Sequence, residues 1–136
     1  MAQKHTGSCL CGLIKFEIMG SFESFYLCHC QHCQKGTGAA HGANLFSSTA
    51  KVNWLQGREK VTRYNLPNTR HTKCFCSHCG SGMPVDDPQS PFLVVPAGSL
   101  DTALEMKPNA HLFCSSKALW ERDFDSIPQF EKLPLG

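Results

Sequence analysis

The chain lacks most of the features that mark whole classes of protein. No apolar run approaches the ~20 residues needed to cross a membrane; the longest aliphatic and aromatic stretch is Phe92-Leu-Val-Val95. The start, Met1-Ala-Gln-Lys-His5, has no apolar segment of the kind a secretory leader needs, so the expected compartment is the cytosol. Charged residues make up 18% of the chain, below the usual share of about 25%, which excludes a disordered charged tail and an ion-pair-rich coiled coil. Thirteen Lys and Arg stand against eleven Asp and Glu, a net charge of +2, with no basic cluster. Nucleic acid recognition draws on clustered Lys and Arg, so neither nucleic acid nor membrane is expected as a partner. No repeat, low-complexity tract or linker interrupts the 136 residues, and a soft prior of roughly 150 residues per domain makes 1–136 a single domain.

Helical periodicity is also scarce. Only a short turn after Cys33, through Gln34, Lys35 and Gly36, reads as helix, and Gly36 and Gly38 limit its length. Apolar residues recur instead with a period of two. In Leu13–Ile18, Ile14, Phe16 and Ile18 alternate with Lys15 and Glu17, the pattern of a strand with one buried face. Phe25–Leu27, Ala43–Phe46, Val52–Trp54, Val61–Tyr64, His71–Phe75, Phe92–Val95 and Ala110–Cys114 are further strand candidates, and Asn65-Leu-Pro-Asn68 reads as a turn. Eight prolines and eleven glycines complete the picture of a small, mostly antiparallel β protein. Phe16, Trp54, Tyr64, Phe92, Phe113 and Trp120 are expected in its core.

What is present in excess is cysteine: nine, at 9, 11, 28, 30, 33, 74, 76, 79 and 114. An odd number in a reducing compartment points away from a disulfide framework and toward thiolate metal binding. Cys9-Leu-Cys11 places two sulfurs on one side of an extended segment. Cys76-Ser-His-Cys79-Gly80 is a C-x-x-C-G turn, whose glycine can take the positive φ that the turn demands. Together these four thiolates would fill a closed, tetrahedral, structural zinc site. Buried free thiols or a redox pair is the alternative, and no βαβ pattern surrounds the pair to favour it.

Cys28-His-Cys30-Gln-His-Cys33 supplies three more sulfurs and no obvious fourth. Three protein ligands with an exchangeable fourth position is the arrangement of catalytic zinc, and a soft ion suits a thiol substrate. The alternatives are closure of this site by His29, His32, His71, His78 or Cys114, giving a second structural centre, and an iron–sulfur cluster. Cys74 and Cys114 stand outside the pattern and are read as small buried residues.

Taken in order, Gly7-Ser-Cys-Leu-Cys-Gly12, Cys28-His-Cys-Gln-His-Cys-Gln-Lys35 with Thr37-Gly38, Phe75-Cys-Ser-His-Cys-Gly-Ser81, Ala97-Gly-Ser-Leu-Asp101, Pro108 with His111, and Ser116-Lys-Ala-Leu-Trp120 resemble the glutathione-dependent formaldehyde-activating enzyme family, also called the CENP-V family. The resemblance runs over roughly positions 7 to 131. It implies an Mss4-like β-tent of antiparallel sheets with two zinc ions: a structural one on Cys9, Cys11, Cys76 and Cys79, and a second, associated with catalysis, on Cys28, Cys30 and Cys33. It further implies a carbon–sulfur lyase that joins glutathione to formaldehyde, giving S-(hydroxymethyl)glutathione, with a small thiol and an aldehyde as partners. His29, His32 and His111 are then candidates for proton transfer or anion binding, and Lys35, Arg70 and Lys73 for contact with glutathione carboxylates; solvated or core roles are the ordinary readings of each. A two-zinc scaffold without catalysis is the alternative function.

Overall fold

The computed structural model describes residues 4–134; Met1–Gln3, part of the start read above as lacking a leader, lie outside that span. Ten strands form three small sheets among the described residues. β1 (Lys4–Ser8), β2 (Lys15–Met19) and β5 (Lys51–Gln56) make the first, in the order β1-β2-β5. β3 (Ser24–Cys28), β4 (Gly42–Ser47), β9 (Leu93–Pro96) and β10 (Ala110–Leu112) make the second, in the order β10-β3-β4-β9. β6 (Val61–Asn65), β7 (Thr72–Cys76) and β8 (Gly82–Met83) make the third. Every strand pairing is antiparallel except that of β10 with β3, which is parallel. The expected β-rich, mostly antiparallel architecture is therefore the one present.

The alternation in β2 acts as its spacing predicts. Phe16 and Ile18 are fully buried, while Lys15 and Met19 face outward. With Ile14, Leu45, Met83, Val95 and Cys76 they form one apolar core shared by the three sheets. Trp54 of β5 lies opposite Phe16 and meets its ring edge-on at 5.8 Å. Close approach fixes one glycine: a Cβ on Gly7 would lie 2.3 Å from Phe16 Cζ and 2.6 Å from the Ser99 carbonyl. Among the described residues no helix is long and apolar enough to cross a membrane.

Several expectations are corrected. β1 and β8 escaped the strand reading. The helix, α1 (Gln31–Thr37), begins before Cys33 rather than after it. The last strand stops at Leu112, and Cys114 opens a 3-10 turn (Cys114–Ser116) in which its thiol is exposed, not buried. Tyr64, Phe92, Phe113 and Trp120 are 51%, 43%, 63% and 64% exposed and so stand outside the core. Periodicity identifies a strand but not which face has a partner, and β6 is an edge strand with four of its five residues exposed.

Candidate metal centres and cleft

Two turns bring the first four cysteines together. Cys9 and Cys11 lie in the turn from β1 to β2, which is closed by hydrogen bonds from the Cys9 amide to the Ile14 carbonyl (3.1 Å) and from the Gly12 amide to the Cys9 carbonyl (3.0 Å). Cys76 ends β7, and the chain reverses through Cys79 to Gly80, whose φ of 80° and amide bond to the Cys76 carbonyl (2.8 Å) make the tight turn possible. The Leu10 amide donates to Ser81 Oγ at 2.8 Å and ties one turn to the other. The four sulfurs all lie within 4.8 Å of one another, with Cys9 to Cys11 at 3.6 Å and Cys11 to Cys76 at 3.9 Å. Four sulfurs at about 2.3 Å from a tetrahedral zinc ion are about 3.8 Å apart, so the quartet has the dimensions that this ion requires.

The electrostatics of the quartet are those of a cation site. The Ile14 amide donates to Cys9 Sγ (3.2 Å), favouring its thiolate, and the His78 amide donates to Cys76 Sγ (3.4 Å). With only protons to share, the cluster divides its charge unevenly. The Ser81 hydroxyl and amide, against some burial, bring Cys79 down to about 5. At Cys11 the Leu13 amide pulls downward, but burial and the neighbouring sulfurs prevail and push the thiol up to about 12. Like charges this close cannot all form unaided; a dication in their midst removes that conflict.

Cys28, Cys30 and Cys33 make a second group, their sulfurs likewise within 4.8 Å of one another. Cys28 is the last residue of β3, Cys30 caps α1 with its sulfur 3.4 Å from the Cys33 amide, and Cys33 lies in the first turn of the helix. Burial, then the adjacent sulfurs, raises the Cys33 thiol. Burial also opposes ionisation of Cys30, but the Cys33 amide and the other two sulfurs hold it below the ordinary thiol value. Among the described residues no histidine, carboxylate or further cysteine joins this trio. His29, His32, His71, His78 and Cys114, the candidates for closing it, do not. Its three soft donors fit zinc with a coordination position left over.

A cleft of about 710 Å³ is lined by Cys9 of the quartet and Cys33 of the trio, together with Thr37, Asn44, Lys73, Cys74 and Gly80. Cys74 is buried as expected, and burial raises its thiol. Of the three cations proposed from sequence, Lys73 lines the cleft and bonds the Gly36 carbonyl, whereas Lys35 and Arg70 do not line it. His71 also lines it and stands 5.3 Å from His32, ring centre to ring centre. Burial, then His32 and Lys73, holds His71 below the usual histidine value.

The remaining two proton-transfer candidates, His29 and His111, do not line the cleft. His29, fully buried between two of the cysteines, places Nδ1 3.1 Å from a Glu121 carboxylate oxygen and Nε2 2.8 Å from His111 Nδ1. A carboxylate only accepts, so Nδ1 of His29 donates to Glu121, and Nε2 of a neutral His29 accepts from His111. Burial lowers the His29 value, with Glu121 opposing, which favours that neutral ring. Asn44, Gln34 and Glu121 are the polar residues that sequence reasoning missed. Gln34 stands in the Cys28–Lys35 motif and on α1 beside the trio, without a role read for it, whereas Asn44 and Glu121 stand in no spaced motif and reach the site through the pairing of β3 with β4 and β10.

The profile of the family described as "Glutathione-dependent formaldehyde-activating enzyme" matches residues 4–116. A protein of Halomonas elongata, provisionally named a glutathione-dependent formaldehyde-activating enzyme, is 33% identical over 124 residues, covering 84% of this chain and 77% of its own. A crystal structure of a Rhodobacter sphaeroides protein, 20% identical, superposes with a TM-score of 0.56 over 78% of this chain and 98% of that one, a likeness of fold. By its profile match and its relative, with seven cysteines gathered into a quartet and a trio, the chain belongs to the glutathione-dependent formaldehyde-activating enzyme family.

Proposed function

We propose that this chain is an enzyme of carbon–sulfur lyase type that joins glutathione and formaldehyde to S-(hydroxymethyl)glutathione and reverses that step. Cys9, Cys11, Cys76 and Cys79 hold a structural zinc ion, and Cys28, Cys30 and Cys33 hold a second. One observation carries the reading: three sulfurs converge with no fourth protein ligand among the described residues, and one of them, Cys33, lines a large cleft. A closed scaffold has no use for that asymmetry. When bound by the trio, zinc supplies the positive charge that keeps a coordinating thiol deprotonated near neutral pH.

The chemistry asked of the protein is modest. A bond forms between the glutathione sulfur and the formaldehyde carbon, the carbonyl π pair moves onto oxygen, and that oxygen takes up the proton the thiol gave up. The reverse breaks the same carbon–sulfur bond. The main contribution of the chain is to hold the thiol and the aldehyde adjacent, which removes the entropy cost of their encounter. Lys73, anchored on the Gly36 carbonyl beside Cys33, provides N–H donors for a substrate carboxylate in the cleft. The Asn44 amide borders the same space and offers both a donor and an acceptor.

The test is exchange spectroscopy by NMR on glutathione, formaldehyde and their adduct, with and without protein. Exchange faster than the spontaneous reaction, abolished in C30S, supports the proposal. Exchange at the spontaneous rate with both zinc ions bound removes the formaldehyde reaction and leaves the two-zinc scaffold.

A further inference from the structure

The segment after β10 inverts the ordinary pattern of burial. Leu119 and Trp120 are 75% and 64% exposed. Their neighbour Glu121, in the same 3-10 turn (Leu119–Glu121), keeps only 9% of its side chain exposed and ends on the fully buried His29. Glutamate is almost never buried unless paired, so a chain that leaves tryptophan in water and takes a carboxylate inside gains something from that carboxylate. What Glu121 reaches is the residue between two cysteines of the trio.

The contact is one of several from β10 and the segment that follows it. The Leu112 carbonyl accepts from the His29 amide at 2.9 Å, and β10 runs parallel to β3 with Leu112 opposite Cys28. His111 donates to His29 Nε2. The Gln34 amide of α1 donates both to the His29 carbonyl (2.8 Å) and to the Ser116 carbonyl (2.9 Å), stapling the cysteine loop to the 3-10 turn at Cys114–Ser116. The loop of the trio contains only six residues, Cys28–Cys33, none of which belongs to the apolar core. Its shape is held by these polar contacts instead.

We infer that Glu121 is a positioning residue for the trio: through His29 it sets the spacing of Cys28, Cys30 and Cys33 for a metal ion, and Gln34 with Ser116 forms the second tether. Position 121 lies beyond the 4–116 span that the family profile matches. The inference rests on the proposal that the trio holds zinc. Hydrogen-bond partners of metal ligands typically set affinity by about ten- to a hundredfold; Glu121 bonds the residue between two ligands, and an effect in that range is the one to look for.

The experiment takes the full chain loaded with two zinc ions and titrates it with a chromogenic chelator, reading zinc release from each site. C30S identifies the trio's phase, and cobalt substitution reports each site by its thiolate charge-transfer bands. In E121A the trio should bind zinc about ten- to a hundredfold more weakly, with the quartet unchanged. E121Q, which keeps an acceptor of the same shape, should recover most of that loss. Q34A should weaken the trio several-fold through the other tether, an independent reading if E121A does not fold. Trio affinity within twofold of wild type in E121A and Q34A, or an equal loss at both sites, overturns the inference. Wild type that binds zinc at the quartet alone removes the proposed function and this inference together, whereas normal zinc binding with no effect of Glu121 removes only the second.

Discussion

The quartet and the trio are made of the same side chain and sit in opposite surroundings. Cys9 and Cys76 of the quartet are buried in the core cluster that also holds Phe16 and Met83, so an ion there would join the two turns to the interior of the protein. The trio has no member in that core and is shaped by a helix cap, a strand end and a polar strap. A site whose ligands are also core residues cannot vary in coordination without cost to the fold. One carried on a supported loop can exchange a ligand, and this is the physical distinction between a structural and a reactive metal.

That contrast can be broken most directly at the quartet. C76S should cost the fold itself: metal-linked folding free energies of structural zinc sites are about 10 kcal/mol or more, comparable to the about 5–15 kcal/mol that holds a typical domain together. Loss of dispersed amide signals in a proton–nitrogen NMR spectrum is the expected outcome, and a native spectrum from C76S would erase the distinction. C30S should do the converse, keeping the native spectrum, lowering zinc content by one equivalent in elemental analysis and abolishing adduct exchange.

Smaller effects sharpen the contrast. K73M should raise KM for the carboxylate-bearing thiol by about tenfold, the value of one hydrogen bond to a charged group, with kcat nearly unchanged in steady-state kinetics. The weakest expected effect is on pH. Burial holds His71 below its ordinary value of 6.5, so the unfolded chain binds a proton there more readily than the folded one. Stability is therefore fully present above 6.5 and lost as pH falls through and below it. H71N should make the fall in urea midpoint between neutral and acid pH shallower than in wild type, and an unchanged slope would place His71 in solvent.

The sequence-derived picture succeeded where local pattern and global role coincide. Alternation in β2 needs no tertiary knowledge, because Phe16 and Ile18 can only face a core. The cysteine spacings likewise constrain which sulfurs can meet, and the groups that form are the ones the spacings suggest. β1 was illegible because Lys-His-Thr-Gly-Ser carries no apolar alternation; His5 and Gly7 are its buried residues. Trp120 misled because an aromatic ring is normally buried, whereas here Glu121 takes the interior position. Whether a charge is solvated or enclosed is decided by the strap's return across β3, a contact spanning 92 residues that no local pattern records.

The parallel pairing of β10 with β3 has a consequence for biosynthesis. All the quartet's ligands have been polymerised once Cys79 is added, but the strap that braces the trio is complete only at Glu121, about 40 residues later. At translation rates of about 5–20 residues per second that is roughly 2–8 s. With the ions proposed, a nascent chain can thus close the quartet before the brace of the trio exists, so the first site matures ahead of the second.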